Sequence, residues 1–274
     1  MTATQMDKAK RFRELHQRPG AFVIPNPWDA GAARLLAILG FEALATTSAG
    51  FAFTLGRKDG AVTREEAMAH CQLLVAASEL PVSADLENCF GDDPATVAET
   101  VRLAAGTGLV GCSVEDASGD ARRPIYEFGH AVERVAAAVE AARKLPFPFT
   151  LTARAENFLH GRQDLDDTIK RLQAFEEAGA DVLYAPGLPS LDAVKTVCGA
   201  VAKPVNVLAN GRFSVAELGA AGVKRVSVGG MLSRVAYGAF LRAARELKEH
   251  GTFRFASEVA VPHPEINGMM AGKS

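Results

Sequence analysis

The feature that most constrains the fold of this 274-residue chain is a regular alternation of short apolar runs with longer helical patterns. The first run begins at residue 22 and the eighth at residue 225, so the repeat averages 29 residues, the size of one strand–helix unit. The eight runs are Phe22–Pro25, Ala43–Thr47, Val82–Leu86, Val110–Glu115, Phe149–Arg154, Asp181–Ala185, Pro204–Leu208 and Arg225–Val228. Mostly apolar strands separated by helices indicate a parallel sheet that is covered on both faces.

The ends of the intervening helices are marked by residues with capping preferences. Thr63 to Glu66 and Ser214 to Glu217 have the spacing of capping boxes, and Asp93 before a proline is typical of an N-cap. Four glycines stand between a helical pattern and the next strand, where each is expected to close a helix in the left-handed conformation. They are Gly40, Gly108, Gly179 and Gly222.

These repeated units predict the α/β class and a closed (β/α)8 TIM barrel. An open doubly wound sheet is the alternative, but a dinucleotide-binding loop would then follow the first strand, where the chain instead reads PNPW. We expect a single domain over residues 1–274. It has an N-terminal helix at about 5–18 and a C-terminal helix plus tail at about 232–274.

Composition excludes several classes of partner. The chain has 30 Lys and Arg against 32 Asp and Glu, and a net charge of −2 gives no bulk attraction to nucleic acid or to an anionic membrane. No run of about 18 apolar residues predicts a membrane helix, and the N-terminus lacks the apolar segment of a secretory signal. Four cysteines without a CxxC pair fit a reducing cytoplasm rather than a disulfide framework.

Acidic residues converge at the end of the barrel where TIM-barrel chemistry takes place. Asp85 and Glu87 share one face at the end of the third strand, and Glu115 ends the fourth. Three carboxylates without a nearby lysine would repel one another, and a hard divalent cation with oxygen ligands would relieve this. We therefore expect Mg²⁺, or Mn²⁺ in its place. The alternative is that these acids pair with arginines or cap helices.

Arg154 is a cation at the end of the fifth strand. It is expected to bind a substrate carboxylate with two parallel hydrogen bonds, or alternatively to pair with Glu156 or Glu115. The small residues of Thr46–Gly50, with Thr47 among them, would leave backbone N–H groups free for a carboxylate or enolate oxygen, or would form a plain turn. Asn210 would contact a ligand or close a turn. No lysine stands at a strand end, which argues against Schiff-base catalysis.

From Ile24 to about Phe253 the chain resembles the isocitrate lyase/phosphoenolpyruvate mutase superfamily. The phrases that carry the resemblance are NPWDAGAARLLAILGFEALATTSAGFAFTLGRKDG, SADLENCFGDD, VEDASGD, LTARAEN, EEAGADVLYAPG, VLANG and VSVGG. The resemblance implies a (β/α)8 barrel and a Mg²⁺-dependent site for small 2-oxo or 2-hydroxy carboxylates, with chemistry through an enolate-like species. It also implies a homo-oligomer, a dimer or tetramer, whose subunits exchange a C-terminal helix.

The same resemblance implies a role for each residue that matches the family pattern. Ser48, Ala49 and Gly50 match the turn that binds substrate oxygens, and Arg154 and Asn210 match residues that contact the substrate. Asp85 matches the direct metal ligand, and Glu87 and Glu115 match a second and a third acid of the metal site. Asp59 matches the acid that supports the water shell of the metal. Glu87 stands where many members carry an Asp, so its longer side chain would reach the metal through water.

The loop after the fourth strand departs from the family. Isocitrate and methylisocitrate lyases carry a Lys-[Lys/Arg]-Cys-Gly-His loop there and phosphoenolpyruvate mutase a Lys-Thr-Asn loop, whereas residues 117–126 read ASGDARRPIY. We expect this loop to be a mobile lid that closes over an anionic substrate.

The leading functional hypothesis is a Mg²⁺-dependent lyase that cleaves a carbon–carbon bond, including oxaloacetate-type cleavage or decarboxylation. Tyr126 or a metal-bound water would serve as its general acid or base. One alternative is a carbon–phosphorus bond enzyme, a phosphonomutase or phosphonopyruvate-type enzyme, in which Arg122 or Arg123 meets the phosphonyl group. Another is a non-catalytic 2-oxo-acid binder.

Overall fold

A computed structural model describes residues 3–271, and its strands lie where the sequence predicts them. The eight strands are β1 (Phe22–Ile24), β2 (Leu44–Ala45), β3 (Val82–Asp85), β4 (Gly111–Glu115), β5 (Thr150–Arg154), β6 (Val182–Tyr184), β7 (Val205–Leu208) and β8 (Arg225–Ser227). All are parallel, in the order β1-β8-β7-β6-β5-β4-β3-β2.

The cylinder is completed between the two ends of this order. The N–H of Ala45 in β2 donates to the carbonyl of Pro25, directly after β1, at 3.0 Å. Asn26 also joins the two edges, because its amide nitrogen donates to the Thr46 carbonyl and its amide oxygen accepts from the N–H groups of Val228 and Gly229. The predicted (β/α)8 barrel is confirmed, and the open doubly wound alternative is wrong.

The described helices surround the strands. They are α1 (Gln5–Gln17), α2 (Ala30–Ile38), α3 (Ser48–Thr54), α4 (Arg64–Ala77), α5 (Pro94–Gly106), α6 (Phe128–Arg143), α7 (Leu165–Glu177), α8 (Leu191–Ala200), α9 (Val215–Ala220), α10 (Met231–His250), α11 (Phe255–Glu258) and α12 (His263–Met270). Most of the buried apolar side chains form a core between the sheet and this helical layer.

The predicted helix boundaries are confirmed by their hydrogen bonds. Thr63 and Ser214 form complete capping boxes, and Asp93 caps α5 with a proline at its first turn. The glycines at 40, 108, 179 and 222 all have φ between 85° and 101°, a conformation that a side chain would strain.

Helix α1 closes the amino end of the barrel. Its residues Phe12, Leu15 and His16 are buried there together with Phe22 of β1. The plane of the His16 ring is nearly perpendicular to both phenylalanine rings. This end is therefore sealed, so a ligand in the barrel interior has to enter from the carboxyl end.

The C-terminal segment lies on the outside of the barrel. Helix α12 packs against α2, where the Arg34 guanidinium donates to the Met270 carbonyl. Exchange of this segment between subunits stays a prediction, as does the assignment of the whole chain to one domain. Within residues 3–271, no helix is both long and apolar enough to cross a membrane.

Candidate active site at the carboxyl end of the barrel

Arg154 lies at the centre of the acidic cluster. Its Nη1 donates to Asp85 Oδ1 at 2.9 Å, its Nε donates to Glu156 Oε1 at 2.8 Å, and its Nη2 lies 3.2 Å from Glu115 Oε2. Its guanidinium also lies 4.9 Å from the ring centroid of Tyr184 on the neighbouring strand. The acids of β3 and β4 therefore meet the arginine of β5, and the pairing considered for Arg154 is formed.

Besides Arg154, groups at the ends of two neighbouring strands, β2 and β4, hold Asp85. Its Oδ2 accepts from the N–H and the hydroxyl of Ser48 at 3.3 and 3.1 Å, and its own N–H donates to the Thr46 hydroxyl at 2.8 Å. Ser113 of β4 lies opposite Asp85 in the register and approaches Oδ1 at 3.5 Å. These contacts fix the carboxylate at the entrance to the barrel interior.

The ionisation of the cluster shows that its carboxylates are crowded. Burial, together with the charges of Asp85 and Asp59, raises the pKa of Glu87 to about 7. Burial raises the pKa of Glu115 well above its ordinary value, although the neighbouring Arg154 opposes the shift, and burial likewise raises the pKa of Asp59. One guanidinium therefore does not neutralise this cluster.

The segment after β3 has an unusual backbone. Glu87, Cys89 and Phe90 have φ values of 52°, 61° and 62°, in the left-handed region that costs a non-glycine residue free energy. The buried guanidinium of Arg134 from α6 holds this segment by donating to the carbonyls of Asn88, Gly91 and Asp92. The sequence analysis did not identify Arg134, because nothing near it in sequence indicates a partner more than 40 residues away.

The predicted turn after β2 is the first turn of helix α3. Thr47 caps this helix and accepts from the N–H of Gly50 at 3.2 Å, so that N–H is already engaged. A Cβ atom at Gly50 would lie 2.6 Å from Thr47 Cγ2 and 3.0 Å from Trp28 Cβ, which explains why glycine is found there. Ser48 and Ala49 line the inner cavity described below.

Two predicted site residues lie apart from the cluster. Tyr126 donates its hydroxyl hydrogen to Asp92 and accepts from Asn88, and it lines a separate cavity of about 320 Å³ outside the mouth. Asn210 is exposed, and its side-chain oxygen accepts from the N–H of Arg212 at 3.0 Å. The structure thus shows the turn-closing role considered for Asn210, and neither residue contacts the acids around Arg154.

The loop 117–126 folds into a small hairpin. The N–H of Ser118 donates to the Pro124 carbonyl at 2.9 Å, and Ala117 and Ile125 form an antiparallel bridge. The side chain of Arg122 is 90% exposed and pairs with Asp120. Only the start of the loop, through Ala117 and Gly119, borders the mouth of the barrel.

Two connected spaces receive these side chains. An outer mouth of about 1130 Å³ is lined by Asp59, Glu87, Glu115 and Arg154, and an inner cavity of about 190 Å³ lies among the strand ends below it. The outer mouth also includes Lys58 and His160, which sequence reasoning missed because their loops lie several residues beyond the strands. Ser48, Asp59 and Arg154 border both spaces.

The residues present fit a hard divalent cation. The donors are carboxylate oxygens, and the raised pKa of Glu87 shows that added positive charge would stabilise them. Within residues 3–271, no three His, Cys, Asp or Glu side chains form a preassembled metal cage. Mg²⁺ usually keeps several of its water ligands and needs few direct protein ligands.

Comparisons with known proteins agree with this arrangement. The family model described as phosphoenolpyruvate phosphomutase matches residues 12–248. The chain belongs to this family. Among the family's solved structures, a proposed lyase/mutase from Burkholderia cenocepacia is 62% identical, with a TM-score of 0.95 over 97% of this chain and 96% of that one.

Two curated relatives of this family member have stated activities. The 2-methylisocitrate lyase of Escherichia coli K12 is 30% identical over 77% of this chain and 71% of its own length. The 2,3-dimethylmalate lyase of Eubacterium barkeri is 30% identical over 65% of this chain and 63% of its own. The predicted superfamily is confirmed, and its members are lyases and mutases that act on small carboxylates.

Proposed function

We propose that this protein is a Mg²⁺-dependent lyase that cleaves a carbon–carbon bond in a small 2-oxo or 2-hydroxy carboxylic acid through an enolate-like intermediate. The observation that carries the proposal is the pairing of Arg154 with Asp85 and Glu115, with Glu87 beside them in the mouth, above a small inner cavity. Membership of a family of lyases and mutases for small carboxylates supports it.

In this proposal each residue has a defined task. Asp85 would hold the Mg²⁺, and Glu87, Glu115 and Asp59 would support it through water. When bound, the ion supplies a Lewis acid that polarises a carbonyl and stabilises developing negative charge. Arg154 has five N–H donors, of which the three acids use three, so two remain for a substrate carboxylate.

The remaining groups shape the cavity. The Ser48 hydroxyl, already beside Asp85, orients a substrate oxygen, and Thr47, Ala49 and Gly50 keep the adjacent helix turn small enough for close approach. The sealed amino end of the barrel limits water to what enters through the mouth. Tyr126 serves as the general acid or base and Asn210 contacts the substrate, each after its loop moves toward the mouth.

The carbon–carbon reaction is preferred to carbon–phosphorus chemistry for a structural reason. Arg122 points to Asp120 and solvent, and Arg123 lines the separate cavity beside Tyr126, so neither arginine borders the mouth.

We further propose a single-domain cytoplasmic homo-oligomer, a dimer or tetramer that exchanges its C-terminal helix. Mn²⁺ would substitute for Mg²⁺, and neither nucleic acid nor membrane would be a partner.

The test is a panel of small 2-oxo acids, 2-hydroxy acids and phosphonates incubated with MgCl₂ and analysed by mass spectrometry. We expect cleavage of a carbon–carbon bond in at least one carboxylic acid, and loss of turnover with EDTA. Asp85→Asn keeps the size of the side chain and should reduce turnover about 100-fold or more, with an unchanged circular dichroism spectrum.

The other outcomes identify the alternatives. Release of inorganic phosphate from phosphonopyruvate would favour the carbon–phosphorus enzyme. Saturable binding of pyruvate without turnover of any acid in the panel would favour the non-catalytic binder. Full activity of Asp85→Asn would refute the metal assignment.

A further inference from the structure

We propose that the floor of the inner cavity is a second anion-binding subsite, built on Arg225, that receives the second acidic group of a small dianionic ligand. The inference rests on the proposed function for its first subsite, at Arg154. It assigns a role to an arginine at the opposite end of the barrel interior, where substrate chemistry is not expected.

Arg225 crosses the interior of the barrel near its amino end. It is 6% exposed and reaches from β8 to β5, where its Nη2 donates to the Thr152 hydroxyl at 2.9 Å. Its Nε donates to the side-chain oxygen of Asn206 at 2.8 Å, and its Nη1 lies 3.3 Å from His16 Nε2. These contacts hold the guanidinium across the barrel axis.

All three of these partners are uncharged. His16 Nδ1 lies 2.8 Å from the Phe12 carbonyl and donates to it, which leaves Nε2 as an acceptor for Arg225. Burial, aided by the charge of Arg225, lowers the pKa of His16 to about 3, so the ring is neutral at pH 7. In the part of the chain that the structure describes, Arg225 has no ion pair with a carboxylate.

The other buried arginines show how unusual this is. Arg154 has three carboxylates around it, and Arg171 pairs with Asp116 and Asp167. Arg134 is surrounded by three backbone carbonyls, whose negative ends face it. A buried charge costs free energy unless it is paired. Burial lowers the pKa of Arg225 to about 10, but the guanidinium is still protonated at pH 7.

The inner cavity gives a ligand access to this charge. Its wall includes both Arg154 and Arg225, and its volume of about 190 Å³ holds roughly six waters at about 30 Å³ each. Thr152, which Arg225 contacts, stands two residues below Arg154 on β5, and two residues of a strand span roughly 6–7 Å of backbone. This distance suits a short acid with an anionic group at each end.

The cavity wall between the two arginines is polar. TIM-barrel interiors are usually filled with Val, Ile and Leu, whereas here the wall carries Ser83, Ser113, Thr152, Asn206 and Ser227. Hydroxyl and amide groups can solvate a charged ligand along this path, which an aliphatic filling could not do. Two of the five Arg225 N–H donors are left over for that ligand.

The experiment compares racemic malate with racemic lactate, which differ by one carboxylate, by isothermal titration calorimetry of the full chain with MgCl₂. We expect malate to bind roughly 10- to 100-fold more tightly than lactate. In Asn206→Asp the new side chain has nearly the same shape but gives Arg225 a carboxylate partner. This carboxylate should compete with the second carboxylate of malate, so malate binding should weaken, lactate binding should not change, and the preference should disappear. Arg225→Gln should do the same, and Arg143→Gln, an exposed arginine at the same end of the barrel, should change neither affinity.

Each result has a definite meaning. A malate preference that survives in folded Asn206→Asp overturns the proposal, as does a wild-type protein that binds malate no better than lactate. Circular dichroism checks folding, and Asn206→Asp keeps the test valid if Arg225→Gln does not fold. If the malate preference behaves as expected but no carbon–carbon bond is cleaved in the panel, the subsite stands and the proposed function fails.

Discussion

The two ends of the barrel interior each contain a buried arginine, but in opposite electrostatic surroundings. At the carboxyl end, Arg154 lies among Asp85, Glu115 and Glu156, so negative charge is in excess. At the amino end, Arg225 lies among an amide, a hydroxyl and a neutral imidazole, so positive charge is in excess.

This contrast indicates what each end attracts. An excess of carboxylates favours a cation, and burial together with the charges of Asp85 and Asp59 raises the pKa of Glu87 to about 7. An uncompensated guanidinium favours an anion. The same type of side chain therefore neutralises acids in Arg154 and remains an uncompensated charge in Arg225. The difference between the two arginines comes from their neighbours.

The largest expected effect comes from removing each arginine in turn. Arg154→Met leaves three carboxylates without their partner and should lower the free energy of unfolding by about 3–5 kcal/mol. Arg225→Met removes hydrogen bonds but strands no opposite charge, so its cost should be about 1–3 kcal/mol. Urea denaturation in EDTA measures both.

Added Mg²⁺ sharpens this comparison. A cation at the carboxyl end would replace part of the lost charge, so MgCl₂ should reduce the cost of Arg154→Met and leave that of Arg225→Met unchanged. Arg154→Lys serves as the control that keeps the charge but loses the planar fork, and it should still bind pyruvate more weakly than the wild type does. Equal costs for the two Met variants would refute the contrast between the two ends.

An effect of intermediate size is expected from His16 at the amino end. Its pKa falls from about 6.5 to about 3 on folding, so the folded protein binds fewer protons there than the unfolded chain. The stability that follows is complete above pH 6.5 and is lost as the pH falls toward 3, with about 2 kcal/mol lost between pH 8 and pH 5. His16→Gln retains an acceptor for Arg225 and should remove that part of the pH dependence.

Urea denaturation at pH 8 and pH 5 measures this difference. The exposed His250, at the end of α10, provides the control substitution His250→Gln, which should leave the pH dependence as it is in the wild type. If His16→Gln loses as much stability at pH 5 as the wild type does, His16 is not the group responsible.

The smallest expected effect concerns the loop 117–126. Trypsin should cut after the exposed Arg122 but not after Arg123, because Pro124 follows it. If the loop closes as a lid, Mg²⁺ and pyruvate together, with pyruvate at about ten times its Kd, should slow this cleavage about tenfold. If the rate of cleavage after Arg122 is the same with and without Mg²⁺ and pyruvate, while pyruvate binds normally, the loop takes no part in closing the site.

The sequence analysis was most successful where local patterns carry the information. Strand positions, the capping boxes at Thr63 and Ser214 and the glycine helix ends were all predicted, because caps and turns depend on residues a few positions apart. The acids at the ends of β3 and β4 were placed together for a related reason, since the barrel brings all strand ends to one face.

Loop residues are less constrained by local patterns. Asn210 closes a turn and Tyr126 donates to Asp92 outside the mouth. The substrate contact that the resemblance implies for Asn210, and the general acid or base role for Tyr126, stay predictions. Asn210 lies two positions beyond β7 and Tyr126 eleven beyond β4, and a loop residue can point in many directions, so its distance along the chain does not specify its contacts.

By itself, then, the sequence determined the barrel, its helix ends and the set of acids that surround Arg154. Only the tertiary structure decided that Arg134 holds the strained segment after β3, and that Arg225, at the floor of the cavity, has no carboxylate partner among residues 3–271. Arg225 meets partners 73 and 209 residues away, at Thr152 and His16. Whether a buried charge is matched depends on every element packed around it, and closure of the barrel brings those elements together from the whole length of the chain.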